Sequence, residues 1–317
     1  MLEVRNLSVT FDNFVAVKNV SFKVNKGEIF GLLGANGAGK TTTIRVMCGL
    51  LIPSSGEVQI AETVFGKNNN TAELIKSRIG YMSQKFTLYD DLTIEENWKF
   101  LASLRKIKKD FYKKRCDYLN QWLSLGDKKN KLVSSLASGL KQQVALAAAL
   151  FHDPDIIFLD EPTAGVSPFA RMQFWNLIKT LAEQGKTIIV TTHYMDEAEN
   201  CARLALMRAG EIIALDSPEH LKVQTFPNGI CVVLEEKMPS SLKDEIQKYK
   251  NEKLLNAWPY GLYYHIVFHD QKIGNDLKSR YPCLQLHTDV ADSNLISATL
   301  SATLEDVFIE LVEGKAR

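Results

Sequence analysis

Gly34-Ala35-Asn36-Gly37-Ala38-Gly39-Lys40-Thr41 fits the pattern G-x-x-x-x-G-K-[ST]. It follows an apolar run, Glu28–Leu33, that reads as a strand, and it opens a segment, Thr41–Leu50, that reads as a helix. Glycines let the backbone curl until successive N–H groups face inward at a helix N-terminus, which makes a nest for an anion. Lys40 can then reach the β- and γ-phosphates of a nucleotide, and the Thr41 hydroxyl can bind Mg²⁺. A glycine turn that matches by chance is the competing reading, and the flanking strand and helix count against it. Strand, loop and helix in this order predict an α/β fold.

Working outward, Ile156-Ile157-Phe158-Leu159-Asp160-Glu161 is an apolar run ending in two adjacent carboxylates. Such a run predicts a central parallel strand buried on both faces. Asp160 would hold Mg²⁺ through water, and Glu161 would face the γ-phosphate and polarise an attacking water. Alone, an Asp-Glu strand end is a weak signal. Beside a phosphate loop it is strong, because phosphoryl transfer needs both parts. Thr187–Thr192 predicts another buried strand, and Glu211–Leu215 a last short one. Thr93-Ile94-Glu95-Glu96 is a capping-box match that predicts a helix start near Ile94. Ser167-Pro168 and Ser217-Pro218 predict two more helix starts. The alternating Leu2, Val4, Leu7 and Val9, then Val15, Val17, Val20, Phe22 and Val24, predict antiparallel strands.

The chain has 317 residues, with 38 Lys+Arg against 37 Asp+Glu and a net charge of +1. At about 100–200 residues per domain this predicts two domains. With 45% hydrophobic and 24% charged residues there is material for a real core. The near-zero charge argues against a nucleic-acid partner, and no apolar run approaches the roughly 18 residues of a membrane span. The five cysteines, Cys48, Cys116, Cys201, Cys231 and Cys283, form no C-x-x-C pair and read as buried thiols in a reducing compartment. After the turn-rich Phe226-Pro227-Asn228-Gly229, alternating and helical segments predict a small α+β appendage. Seven basic residues and one acid between Arg105 and Arg115 read as a solvated helical face.

The order Phe11, Gly34–Thr42, Gln84, Leu136–Gln143, Asp160–Pro162, Ala164–Ser167 and His193 resembles the ATP-binding subunit of an ABC transporter, over residues 1 to about 222. The resemblance implies a P-loop NTPase cassette at 1–224, with a mixed sheet core, an antiparallel β subdomain and a helical subdomain at about 86–150. A small C-terminal α+β domain would follow at 225–317. It implies that Phe11 stacks on adenine and that Gly34, Ala35, Asn36, Gly37, Ala38, Gly39, Lys40, Thr41 and Thr42 hold the phosphates. It implies Mg²⁺ ligation by Thr41, Gln84 and Asp160, and catalytic roles for Glu161, Gln84 and His193. Taken alone, Phe11 reads equally as a core strand residue.

Two departures from the family pattern concern contacts made across a head-to-tail dimer. The signature segment reads Leu136-Ala137-Ser138-Gly139-Leu140-Lys141-Gln142-Gln143, with Ala137 at the serine position, Ser138 at the first glycine, Gly139 retained and Leu140 following. Ser167 stands where the family usually has Asp. The intrachain set is complete, so the expectation is ATP binding with intact chemistry and hydrolysis that is either slowed or shared with a partner subunit, since losing one charge-stabilising donor costs about 10²-fold in rate. Ala302-Thr303-Leu304-Glu305-Asp306-Val307-Phe308 is similar to the ending of ABC-2-type exporter ATPases of the multidrug and polysaccharide group. Leu304, Val307, Phe308 and Leu311 also fit a plain amphipathic helix with one buried stripe. The resemblance thus implies ATP-powered export through a separate transmembrane permease. A second ATPase subunit would pair with this one, and the chain would sit on the cytoplasmic face of the cell membrane, touching the permease through Phe86–Leu136. The alternatives are a soluble ABC ATPase without a transporter, or an ATP-gated regulatory subunit with weak turnover.

Overall fold

The computed structural model describes residues 2–66, 71–227, 230–286 and 302–315. Two compact units are present, Met1–Asp216 and Ser217–Arg317. Asn228 and Gly229 of the expected turn lie outside the described residues.

The first unit opens with strands β1 (Leu2–Phe11) and β2 (Phe14–Val24), paired antiparallel as their alternation predicts. Leu2, Val4, Leu7 and Val9 are buried, but Val15 is exposed. Register irregularities in the ladder near Val9 and Thr10 turn its side chain outward. Strand β3 (Ile29–Leu33) leads into helix α1 (Lys40–Met47). Strands β4 (Ser55–Ile60) and β5 (Thr63–Gly66) complete a four-stranded sheet in the order β2-β1-β4-β5. Helix α2 (Ala72–Arg78) runs into β6 (Ile79–Met82).

A helical region follows, built from α3 (Ile94–Leu104), α4 (Lys109–Trp122) and α5 (Ser138–Ala149). The predicted capping box starts α3: Thr93 Oγ1 accepts from the Glu96 N–H, and the Glu96 carboxylate accepts from the Thr93 N–H. The chain then alternates through β7 (Ile156–Asp160), α6 (Pro168–Glu183), β8 (Thr187–Thr192), α7 (Met195–Ala198), β9 (Arg203–Arg208) and β10 (Glu211–Asp216). These strands join β3 and β6 in a six-stranded sheet ordered β10-β9-β3-β8-β7-β6, parallel except for β10. Strands β3, β7 and β8 are buried along their whole length, as expected for parallel strands covered on both faces. One apolar core joins the two sheets, with Phe22 stacked on Phe30 at 5.1 Å; another joins the parallel sheet to the helical region around Trp98 and Phe151. The α/β cassette expected from the sequence is therefore observed.

The second unit begins with α8 (Pro218–Thr225), capped by Ser217. It continues through β11 (Cys231–Leu234), α9 (Ser240–Asn251), β12 (Leu255–Tyr260), β13 (Tyr263–Phe268), α10 (Gln271–Arg280) and β14 (Gln285–Leu286). The order βαββαβ, with an antiparallel sheet arranged β12-β13-β11-β14, is the ferredoxin-like split βαβ. Leu242, Ile246 and Leu277 of its helices pack on Cys231, Val233, Leu255 and Ile266 of the sheet. Trp258 and His265 stand directly opposite on neighbouring strands, and both bond to Asp306 of the terminal helix α11 (Leu304–Lys315). Asp306 is wholly buried although it lies outside the predicted apolar stripe, of which Leu304 and Val307 are buried while Phe308 and Leu311 are partly exposed, a correction to the expected buried stripe. Cys48, Cys201 and Cys231 are buried thiols, whereas Cys116 and Cys283 are partly exposed, which corrects the expectation that all five are buried.

Candidate nucleotide-binding site

The parallel strands converge on one cleft of about 390 Å³. It is lined by the phosphate loop (Asn36, Gly37, Gly39–Thr42), by Gln84 and Glu161, and by Phe11, Phe14 and Ala16 at the β1–β2 turn. Phe11 is 46% exposed there, so it is not a core residue of its strand. Gly39 shows why the loop cannot carry a side chain at its end. Its φ is +102°, and a Cβ would lie 2.6 Å from the Ala16 carbonyl oxygen.

Lys40 is buried, and its ammonium donates to the Gly34 carbonyl at 2.8 Å and the Ala35 carbonyl at 3.2 Å. The ammonium also lies 3.2 Å from Glu161 Oε1. The other Glu161 oxygen accepts from Gln84 Nε2 at 3.2 Å and lies 3.3 Å from His193 Nδ1. One carboxylate thus gathers Lys40 from the start of α1 and Gln84 and His193 from two separate loops. Its backbone is held in the left-handed region, with φ of +47°. Hydrogen bonds from the Glu161 N–H to the Thr191 hydroxyl, at 2.8 Å, and to the Thr191 carbonyl hold it there. A non-glycine residue in that region costs about 1–3 kcal/mol, and such strain persists where the surroundings fix it.

Asp160 ends β7 and is 1% exposed. Its Oδ1 accepts from Thr41 at 3.0 Å and from Thr191 at 2.7 Å, while Oδ2 is buried without a hydrogen-bond partner. Burial pushes its carboxyl above the usual carboxylate range, against the two threonine hydroxyls. A buried carboxylate oxygen without a donor, next to a threonine hydroxyl, is a donor set that fits a hard divalent cation.

The remaining sequence candidates lie elsewhere. Ala137, Ser138, Gly139 and Leu140 form the start of α5 and do not line the cleft. Ala137 is the N-cap and offers no side-chain bond. Ser167 caps α6, its hydroxyl accepting from the Ala170 N–H at 3.4 Å. Sequence reasoning missed Thr191, which bridges Asp160 and Glu161. The signal was a hydroxyl inside an otherwise apolar strand. It also missed Phe14, 63% exposed at the cleft.

No described helix is long and apolar enough to cross a membrane. Residues 17–164 match the family model for ABC transporters. A probable multidrug ABC transporter ATP-binding protein of Escherichia coli is 41% identical over 225 residues, covering 71% of this chain but only 38% of that protein. The linearmycin resistance ATP-binding protein of Bacillus subtilis is 36% identical, covering 70% of both chains. The Nod factor export ATP-binding protein I of Burkholderia lata is 31% identical over 312 residues, covering 98% of this chain and 96% of that one. Among solved structures, a dimeric post-hydrolysis ATP-binding cassette bound to ADP and Pi superposes with a TM-score of 0.62 at 28% identity, over 68% of this chain and 98% of that one. With a phosphate-loop cleft at the ends of its parallel strands and relatives matched along nearly its whole length, the chain belongs to the ATP-binding proteins of the ABC transporter family.

Proposed function

We propose that this chain binds and hydrolyses ATP and thereby powers export through a separate membrane permease. The observation that carries the reading is Glu161, a single strained carboxylate within reach of Lys40, Gln84 and His193. Residues 1–224 are assigned the ATPase role and 225–317 an accessory one. In this reading adenine lies on Phe11. The N–H groups of Gly34–Thr42 and the Lys40 ammonium hold the phosphates, Lys40 exchanging part of its contact with Glu161 for them. Thr41, Asp160 and Gln84 would hold Mg²⁺, whose charge would offset that of the phosphates. Glu161 orients and polarises the attacking water, and His193 places its imidazole beside the γ-phosphate. Ala137–Leu140 would face the nucleotide of a second ATPase subunit. Phe86–Leu136, which follows Gln84 directly, would meet the permease at the cytoplasmic face of the membrane. The exporter names of the relatives support this direction of transport.

A second reading, a regulatory subunit with little turnover, is favoured by Ala137 and Ser138 in the signature segment. Glu161→Gln separates the two. As an ATPase, the variant loses at least about 10²-fold in turnover and accumulates an ATP-bound dimer in size-exclusion chromatography. A regulator would keep its low rate unchanged. Co-purification from detergent-solubilised membranes tests export, with a permease in the eluate as the expected outcome.

A further inference from the structure

Glu197 lies outside every motif that defines the cleft, and yet it is 1% exposed. A carboxylate taken so far from water needs partners, and here the partners are the site's own supports. The Thr163 hydroxyl, two residues after Glu161, donates to Glu197 Oε1. The Thr192 hydroxyl, one residue before His193, donates to Oε2 at 2.6 Å. Both threonines are buried. Thr192 Oγ1 accepts in turn from the Tyr194 N–H at 3.0 Å, which fixes the backbone on the far side of His193. The charge is balanced by Arg171 of α6, whose Nε lies 3.3 Å from Oε1. The same guanidinium lies 3.9 Å from the centre of the Tyr194 ring, and that ring packs 4.1 Å from the imidazole of His193. Two routes, one of hydrogen bonds and one of stacked groups, therefore join α6 and the Glu161 segment to His193.

We infer that Glu197 is a positioning residue for ATP hydrolysis, holding His193 and the segment after Glu161 in register through Thr192, Thr163 and Arg171. The inference rests on the ATPase reading above and adds a residue that touches neither nucleotide nor metal in it. Its alternative is a purely structural role, in which Glu197 only neutralises Arg171.

The test uses the full chain with Glu197→Ala, Glu197→Gln and Thr192→Val. A displaced imidazole lowers kcat about 10- to 100-fold in Glu197→Ala, the cost expected of a misplacement of about 1 Å. KM for ATP stays within about twofold, because an interaction used only in the chemical step does not change ground-state binding. Glu197→Gln keeps an oxygen for Thr163 and recovers a large part of kcat. Thr192→Val lowers kcat in the same way, and the double variant with Glu197→Ala is no worse than the single. A folded Glu197→Ala protein with unchanged kcat overturns the inference, as does a rise in KM that accounts for the whole loss. A second readout needs no turnover. The ring ¹⁵N signals of His193, identified by their loss in His193→Ala, shift or broaden in Glu197→Ala, and signals that stay in place overturn the inference. If the unsubstituted chain hydrolysed no ATP, the ATPase reading would fall while the ring measurement would still judge the positioning.

Discussion

Asp160 concentrates the electrostatics of the site in one side chain. Burial raises its carboxyl pKa, so above the ordinary value of 3.8 the folded chain holds this proton more tightly than the unfolded chain does. That contribution to stability is present at low pH and is lost as pH rises through the folded-state value, so this group leaves the fold less stable at pH 7 than at low pH. Asp160→Asn keeps an oxygen for Thr41 and Thr191 but carries no charge. In the absence of nucleotide it is expected to raise the melting temperature at pH 7 by about 2–4 °C, the effect of about 1 kcal/mol in a unit of this size. The same variant is expected to lose Mg²⁺-dependent ATP hydrolysis. A melting temperature equal to that of the unsubstituted chain across pH 5–8 would contradict the burial account. At this scale the sequence was legible where function depends on local spacing: Gly34–Thr41 and Asp160–Glu161 announce themselves within a few residues. Thr191 and Glu197 did not, because a hydroxyl in a strand and an acid in the run Asp196-Glu197-Ala198-Glu199 look like ordinary surface chemistry until the fold buries them.

At the scale of elements, the start of α5 is incomplete in one respect and overfull in another. Its N-cap, Ala137, leaves the first N–H groups without a side-chain acceptor. Ala137→Ser is expected to stabilise the first unit by about 1 kcal/mol in urea denaturation. Where a second subunit is present, it should also raise ATP turnover, up to about 10²-fold if the missing donor limits the rate. Two positions on, Gly139 packs against α6 so closely that a Cβ would lie 2.6 Å from the Ala170 Cβ. Gly139→Ala should therefore cost about 1–3 kcal/mol by overpacking, and Ala170→Gly in the same chain should recover most of it. Denaturation midpoints of the two single variants and the double variant decide this. Capping signals made several elements readable in advance: Thr93–Glu96 for α3, Ser167-Pro168 for α6 and Ser217-Pro218 for α8. Strands β4, β5, β6, β9, β12 and β14 escaped: β5, β6 and β14 have four residues or fewer, and β4 contains Gly56. β9 begins and ends with arginine, and β12 contains Pro259.

At the scale of the whole molecule, the sequence signalled an appendage and its α+β character, but not its topology. The β12-β13-β11-β14 order depends on pairing between strands about thirty residues or more apart, for which no local pattern exists. The same distance hid the role of Asp306, which the sequence shows only as one acid of the segment Ala302–Phe308. In the fold it accepts from Trp258 Nε1 at 2.8 Å, and from the N–H and hydroxyl of Thr303 at 2.7 and 2.8 Å. It also pairs with His265 Nδ1 at 2.9 Å. Surrounding groups hold its carboxyl below the usual range despite burial. Asp306→Ala strands these partners, at about 1–3 kcal/mol for each buried group left unpaired. Limited proteolysis is expected to remove α11 from that variant under conditions that leave the unsubstituted chain intact. The dependence also runs the other way. Removing α11 would leave Trp258 and His265 without their shared acceptor, so the helix completes the second unit from inside its polar core rather than resting on it.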